Sequence, residues 1–432
     1  MADLSPREAS VAQAAERVGR YRWVICALLF AATAINYVDR QMIGVLKPTI
    51  SAELGWSETG YSTIVVWFQL AYGLGYLSFG RIVDVLGARF GYAVAFTIWT
   101  VAHMLHGAAR SAAQFSMVRA LLGLGEAGNF PSGLKAVSEW FPARERALAT
   151  GIFNAGSNVG AIITPIIVPA ITLSLGWRAA FWITGAFSLV WLVAWVRIYR
   201  RPREKAGVGA AELAWIESDP ADVGAKIGWG RLLGYRETWA FAIGKFLTDP
   251  VWWLYLFWLP DFLAKRYGLD LVHFGPPLVA IYVISDLGSV AGGWCSSQLM
   301  RRGLTANGAR KLTMLGCAVL VTPIFFAQYV GSLWASVAIV GLATAAHQAF
   351  SANIYTLPSD MFPRAAVGSV VGIGGTAGAL GGALFSVYVG RVLQATGSYT
   401  PIFAVAGSVY LVAMAVMQLL VPRIRRVDLV AG

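Results

Sequence analysis

Four ionisable residues stand inside stretches that are otherwise apolar. Asp39 and Arg40 are neighbours in AINYVDRQMIG, within a run from Trp23 to Leu46, and Arg119 and Glu126 lie seven residues apart in a second run. A charge at the centre of a membrane helix costs roughly 2.5–3.5 kcal/mol on insertion scales, so something must offset it. Arginine stays protonated at any working pH, and its planar fork matches a carboxylate bidentately. Aspartate or glutamate in a dehydrated site exchanges protons near neutrality. The quartet is therefore suited to reversible binding of an organic anion coupled to proton exchange. The competing reading is a structural ion-pair network that holds the N-terminal half together. Against it, apolar packing is often as stable as a buried ion pair.

Helical spacing orients these groups. Asn36 lies one turn from both Asp39 and Arg40, so Asn36, Tyr37 and Arg40 present donors to a common region. Asp39 points roughly 100° away from Arg40. Glu126 is two turns from Arg119 on one face, and Gly123, Gly125 and Gly128 around it allow close approach of another helix and leave space for a ligand.

The C-terminal half offers sugar-type contacts. Trp252, Trp253 and Tyr255 form a possible wall against a ring, near Pro250, which permits a helix break. His347, Gln348, Ser351 and Asn353 form a polar cluster, and Asn154 and Asn158 are comparable donors in the first half. Lipid-facing aromatics and interhelical hydrogen bonds are the alternatives for these groups. Lys245 and Asp249 (i, i+4), with Asp286, form a neutralised pair or triad, either structural or rearranging during gating. His103, His106 and His273 receive no chemical role.

The elements that must carry these residues follow from composition. Of 432 residues, 57% are hydrophobic and 13% charged, about half the charge of a soluble domain. Twelve runs approach the roughly 20 apolar residues needed to span a bilayer: 22–46, 59–80, 90–108, 114–137, 147–170, 179–198, 238–262, 273–296, 312–330, 333–358, 369–393 and 401–421. The expected fold is an all-α polytopic membrane protein with twelve transmembrane helices in two six-helix halves. Residues 1–21 form a tail, 22–198 the first bundle, 199–237 a linker, 238–421 the second bundle and 422–432 a second tail. With the N-terminus inside, inner segments hold 25 of the 34 Lys and Arg. That asymmetry is the positive-inside rule, so the net charge of +12 sets topology rather than binding nucleic acid. Both termini are then cytoplasmic. No cleavable signal peptide is visible. Cys26, Cys295 and Cys317 are small core residues, with no disulfide or metal spacing.

An internal repeat supports the six-plus-six plan. SEWFPARERALATGI (138–152) and SDMFPRAAVGSVVGI (359–373) share Ser, an acid, Phe-Pro and Gly-Ile in register. A second signature is GRIVDVLGAR (80–89), in the loop after the second run. There Gly80 permits close packing, Gly87 permits a sharp turn, and Asp84 bonds helix-end amides or Arg89. In the later GGWCSSQLMRRG, Ser297 stands at the Asp84 position.

GRIVDVLGAR resembles the signature loop of the major facilitator superfamily, departing at Val85 where arginine is frequent. RALLGLGEAGNFPSGLKAVSEWFPARERA (119–147) and NYVDR resemble its anion:cation symporter branch. FLTDPVWWLYLFWLPDFL (246–263) and AHQAFSANIYTLPSDMFP (346–363) resemble bacterial hexuronate transporters. The resemblance implies a proton-coupled importer of an organic anion, with a hexuronate first and galactonate or glucarate as alternatives. It implies Arg40 on the substrate carboxylate, Asp39 and Glu126 as coupling acids, Arg119 interacting with one of them, and Tyr37 and Tyr72 lining the site. Alternating access would rock the halves, with residues 80–89 and the FPARER arginines, Arg144 and Arg146, as cytoplasmic latches. The expected partners are a small sugar acid, protons and the bilayer, with the protein a monomer and no cofactor.

Other classes fit less well. No GxSxG, HExxH, Walker loop or metal cluster supports an enzyme or an ATP-driven pump. The glycines of GIGGTAGALGG (372–382) suit close helix packing. A drug exporter of the same superfamily would often carry a Gly-Pro pair where Gly160 is followed by Ala161. A non-transporting receptor would accumulate no substrate.

Overall fold

The computed structural model describes residues 19–218 and 228–427. Most of the first tail, part of the linker and the last five residues lie outside the described residues. Apolar runs of this length satisfy their backbone groups in a membrane only by coiling into helices, and the described chain is helical throughout, with no strand among the described residues. The first half comprises α1 (Tyr21–Leu54), α2 (Glu58–His106), α3 (Ala112–Glu126), α4 (Asn129–Trp140), α5 (Ala143–Leu175) and α6 (Trp177–Ile198). Two short helices of the linker follow, α7 (Ala210–Ile216) and α8 (Trp229–Leu232). The second half comprises α9 (Arg236–Tyr267), α10 (Gly275–Arg301), α11 (Ala306–Val321), α12 (Leu333–Ile354), α13 (Leu357–Met361), α14 (Arg364–Thr396) and α15 (Thr400–Leu420).

Nine segments among the described residues are long and apolar enough to cross a membrane. Twelve spans result once three features are counted. Helix α2 is two spans joined at Gly87, whose φ of 74° and ψ of 166° break the helix. Helices α3 and α4 are one span interrupted at Ala127–Gly128. Helix α9 reads as less apolar because it carries Lys245, Asp249, Asp261 and Lys265.

The predicted loop 81–89 is a correction. Residues on both sides of Gly87 are helical, so the turn is a single-residue break. The helix continues past the apolar run because Arg81 and Asp84 are solvated there and cost the helix nothing. The expected packing role of Gly80 is also not seen, since a methyl at Gly80 would meet nothing within 4 Å.

The internal repeat is visible in the backbone. Pro142 and Pro363 start α5 and α14 with the same dihedrals, φ −65° and ψ 154°. All positive-φ residues among those described are glycines, and they pair across the halves at matching joints: Gly55 with Gly268, Gly87 with Gly303, Gly176 with Gly397. Glycines in GIGGTAGALGG pack closely, for a methyl at Gly374 would strike the Phe241 ring and one at Gly381 the Phe246 carbonyl.

The halves meet firmly at the end away from the termini. Gly44 of α1 lies against the backbone of Leu256 and Phe257, and Tyr61 Oη donates to the Phe257 carbonyl at 2.8 Å. Gln69 accepts from Ser386 at 2.9 Å. A charge network lies beyond them. Lys47 Nζ is 2.7 Å from Glu58 and 2.9 Å from Asp261, and Lys265 Nζ is 2.5 Å from Glu58 and 3.0 Å from Asp261. Two lysines and two acids, one of each from each half, sum to zero charge. Tyr399 donates a further hydrogen bond to Asp261.

Asp261→Asn leaves two lysines sharing one glutamate. Removing one partner of a buried pair costs about 3–5 kcal/mol, so this closed end should open. A cysteine placed at Ser62 in an otherwise cysteine-free protein should then react faster with an impermeant thiol reagent. Unchanged reactivity would show that apolar packing alone keeps this end shut.

Candidate functional site

The site begins with Arg40, 4% exposed. Its Nε donates to Glu126 Oε2 at 2.7 Å and its Nη2 to Asn36 Oδ1 at 3.0 Å. Aromatic rings enclose the guanidinium: Tyr72 at 4.8 Å, Tyr37 at 5.0 Å, Trp253 at 5.4 Å and Phe68 at 5.7 Å from ring centre to Cζ. Such contacts stabilise a desolvated cation by cation–π attraction. Trp253 comes from α9, so Arg40 lies where the halves meet. The spacing argument for Asn36, Tyr37 and Arg40 therefore corresponds to a real cluster, which Tyr72 and Glu126 complete.

Glu126 reaches Arg40 because α2 and α3 lie close together. A methyl at Gly123 would fall 2.3 Å from the Phe68 carbonyl, and one at Gly125 would fall 2.6 Å from the Trp99 amide. Gly128 packs against Ala95 and Phe79 in the same way. This corrects one expectation: the room these glycines provide is filled by helix backbone and side chains, not left for a ligand.

Arg119 is fully buried and interacts with Glu126 and Asp39 through its charge, without a direct ion pair. Its Nη2 donates to the Arg40 carbonyl at 2.8 Å, and its guanidinium lies 4.6 Å from the Phe68 ring centre and 5.5 Å from that of Phe257. Among the described residues it makes no ion pair with Asp39 or Glu126, and its Nε and Nη1 have no hydrogen-bond partner. Two turns of helix set Arg119 level with the backbone of α1 rather than with either carboxylate.

Asp39 faces the other way, into the first bundle. Its Oδ2 accepts from Trp99 Nε1 at 3.1 Å and Ser188 Oγ at 3.4 Å. Its Oδ1 is 3.2 Å from His103 Nε2. Neither Asp39 nor His103 is exposed at all. Thr184 Oγ1, 2.7 Å from the same Nε2, donates its own proton to the Ala180 carbonyl at 2.8 Å. Nε2 must then carry the ring hydrogen and donate it to Thr184 Oγ1, leaving Asp39 Oδ1 close to the ring but without a hydrogen bond among the described residues. Sequence reading passed over His103. The available signal was an ionisable side chain inside an apolar run, but helix spacing within α2 could not reveal Asp39 across the bundle. His106 stacks on Phe181 with centroids 5.1 Å apart.

The second half places its candidates unevenly. Trp252 stacks on His347, 5.3 Å between centroids at 5°, and His347 Nδ1 pairs with the Tyr410 hydroxyl. Tyr255 is buried, and its hydroxyl has no partner among the described residues. Gln348 and Ser351 are half-buried. Asn353 is a helix clamp, donating to the Gly292 carbonyl at 3.1 Å and to Ala349 at 2.9 Å. Asn154 is exposed, and Asn158 accepts from Ser157 at 3.2 Å. Lys245 pairs with Asp249 at 2.7 Å, and its Nζ lies 3.9 Å from the Tyr355 ring centre. Asp286, half-buried, joins no ion pair among the described residues, so of the expected pair or triad the pair is present.

The signature arginines contact both the first half and the linker. Arg89 Nη2 donates to the Val196 carbonyl at 2.7 Å while Trp195 Nε1 donates to the Arg89 carbonyl at 3.0 Å, tying the Gly87 break to the end of α6. Arg144 lies over Trp215 at 3.3 Å, and Arg146 Nε donates to the Phe141 carbonyl at 2.9 Å. Asp84 is exposed beside them. Among the described residues no group of three His, Cys, Asp or Glu could hold a metal. A groove between α2 and α3, lined by Trp67, Leu74, Met117 and Leu121, carries no charged side chain and suits lipid tails rather than an anion.

Comparison with known proteins bears on this arrangement. The chain is 32% identical over 391 residues to the hexuronate transporter of Escherichia coli K12, covering 89% of this chain and 90% of that protein. It is 32% identical over 310 residues to the galacturonate transporter of Dickeya chrysanthemi, covering 70% of this chain and 90% of that one. The solved structure of a bacterial homologue of the human lysosomal transporter Spinster, inward-facing and occupied, superposes with a TM-score of 0.70 over 93% of this chain and 95% of that one at 18% identity, a likeness of fold. These relatives are transporters and not enzymes. Residues 29–386 match the Major Facilitator Superfamily model, and with its two six-helix halves the chain belongs to that superfamily.

Proposed function

We propose that this protein is a proton-coupled symporter that imports a sugar acid, most favourably glucuronate or galacturonate, across a bacterial inner membrane with both termini cytoplasmic. The observation that carries the reading is the Arg40–Glu126 pair, 2.7 Å long and ringed by Tyr37, Tyr72 and Trp253 at the meeting of the halves. Arg40 is the one ligand in that ring with a planar fork for a carboxylate. Its Nε is taken by Glu126 and its Nη2 by Asn36. Protonating Glu126 releases the guanidinium, so anion binding and proton binding favour each other reciprocally. The tyrosine hydroxyls and the Trp253 indole of the ring supply the polar and apolar contacts a sugar needs. The names of the relatives support a sugar-acid substrate. Aldonates and aldarates are the competing substrates within the class.

Asp39 is the second proton carrier in this reading. His103, Trp99 and Ser188 hold its carboxylate away from the substrate face, while Arg119 sits across α1 and Glu126 lies on the other side of Arg40. Two acids serving one monoanion would make inward transport electrogenic. In the opposite conformation, residues 80–89 and Arg144 and Arg146 would close the end that carries the termini. The exposure of Gly80 agrees with a contact made only there.

Reconstituted protein should take up labelled glucuronate when an inward proton gradient is imposed. Arg40→Ala and Glu126→Gln should each reduce gradient-driven uptake at least about a hundredfold, the scale of a lost charged hydrogen bond. Robust uptake in both variants would return the pair to a structural role. Competition by galactonate without competition by unlabelled glucuronate would keep the symporter and change its substrate.

His103→Phe removes the polarised N–H that lies 3.2 Å from Asp39 Oδ1. A positive pole beside the carboxylate favours its charged form, so its loss eases protonation, and the alkaline fall of uptake should move to higher pH. His103→Gln, which keeps a donor, should move it less. An unshifted profile in an active His103→Phe protein would remove His103 from proton coupling.

A further inference from the structure

The two halves present the same device to each other. In the first half a buried cation, Arg40, is neutralised by Glu126. In the second half Lys245, 2% exposed, is neutralised by Asp249. Asp249 has its own seat: a methyl at Gly378 would fall 2.2 Å from Asp249 Oδ2, so the glycine makes room for the carboxylate. The Tyr355 ring cups Lys245 Nζ at 3.9 Å.

Helix geometry aims this pair at the substrate region. Lys245, Asp249 and Trp252 fall at i, i+4 and i+7 on α9, and Trp253 follows Asp249 by four residues, so they share one stripe. Trp253 touches the Arg40 ring of aromatics, which fixes the direction of the stripe. The rise from Asp249 to Trp253 is about 6 Å, on the scale of a six-carbon chain. Tyrosines bridge the interval. Tyr72 beside Arg40 reaches Tyr76 hydroxyl to hydroxyl at 3.5 Å, Tyr76 faces Gly375 on α14, and Tyr355, 44% exposed, lies within electrostatic reach of Tyr37 and Tyr72.

We propose that the Lys245–Asp249 pair is the distal subsite of the substrate pocket and that Asp249 sets its charge, so that the pocket accepts the uncharged hydroxyl end of a sugar monocarboxylate and rejects a second carboxylate. This deepens the sugar-acid reading and rests on it. The ammonium of Lys245 offers three donors, of which the ion pair leaves some for hydroxyls. The pair as a whole carries no net charge, and the Asp249 carboxylate repels another carboxylate. The surrounding groups, His347 against Trp252 with the Tyr410 hydroxyl on its ring, and Thr248, add no further full charge.

The test compares labelled glucuronate, a monoanion, with labelled glucarate, the dianion of the same carbon skeleton. Proteoliposomes carry wild type, Asp249→Asn, or the doubly neutral Lys245→Gln/Asp249→Asn, and binding of both acids is followed in parallel by tryptophan fluorescence in detergent. Asp249→Asn frees the Lys245 charge and should raise the glucarate-to-glucuronate ratio at least about tenfold, one charged contact's worth of selectivity. The double variant should show no such rise. Should Asp249→Asn bind without transporting, the binding ratio decides. An unchanged ratio alongside wild-type glucuronate uptake overturns the subsite alone. A wild type that neither binds nor moves either acid overturns the sugar-acid reading and this inference with it.

Discussion

A guanidinium inside an apolar bundle cannot be left without a counter-charge, and most of the first half is arranged around that constraint. Arg40 is held by Glu126, Asn36 and a ring of aromatics. Bringing Glu126 into range requires α3 to press on α2, which glycines such as Gly123 and Gly125 allow, since side chains there would strike the Phe68 carbonyl and the Trp99 amide. Trp99 in turn donates to Asp39. The glycines, the tryptophan and the acids are thus one packing problem. Replacing any of them moves a charge as well as a surface.

The second half repeats the backbone more faithfully than the chemistry. The paired glycines at matching joints and the identical dihedrals of Pro142 and Pro363 preserve the frame. Around the proposed pocket the first half places four buried charges, Asp39, Arg40, Arg119 and Glu126, and the second half places the Lys245–Asp249 pair. Backbone joints are fixed by local sterics, which any copy must satisfy. Site chemistry is fixed by what each wall must contact, and the two walls contact different ends of one ligand in the proposed pocket.

Much of this was legible in the sequence because it is governed by local rules. Apolar length gave the spans, Phe-Pro and glycine gave the joints, and i, i+4 spacing gave the Asn36–Arg40 and Lys245–Asp249 contacts. What escaped depends on how helices are rotated against one another. His103 meets Asp39 only because α2 turns that face inward beside α6. Arg119 meets a backbone carbonyl rather than an acid because of its height along α3, and Trp253 joins Arg40 from the other half. Asn353 reads in sequence as either a ligand contact or an interhelical hydrogen bond, and in space it is a clamp on Gly292. The 81–89 segment reads as a loop because it is polar, yet it is helix on both sides of Gly87.

Charge balance also links the two ends of the molecule to transport in the proposed mechanism. The closed end is locked by Lys47, Glu58, Lys265 and Asp261, whose formal charges cancel. The Arg40–Glu126 and Lys245–Asp249 pairs cancel as well. A neutral lock can open by exchanging partners for water without stranding a charge in apolar surroundings. The pocket has no such freedom once a sugar carboxylate enters, because it then holds one negative charge too many. Burying an uncompensated ion costs several kcal/mol even after relaxation, so the loaded pocket is driven to acquire a cation before the halves can rock. The nearest means is a proton on Glu126, whose departure from the ion pair is what frees Arg40 for the substrate. In this proposal the Glu126 proton follows from electroneutrality of the occluded pocket, with any second proton on Asp39 carried outside it, and the same holds for any monoanionic sugar acid that fits between the two pairs.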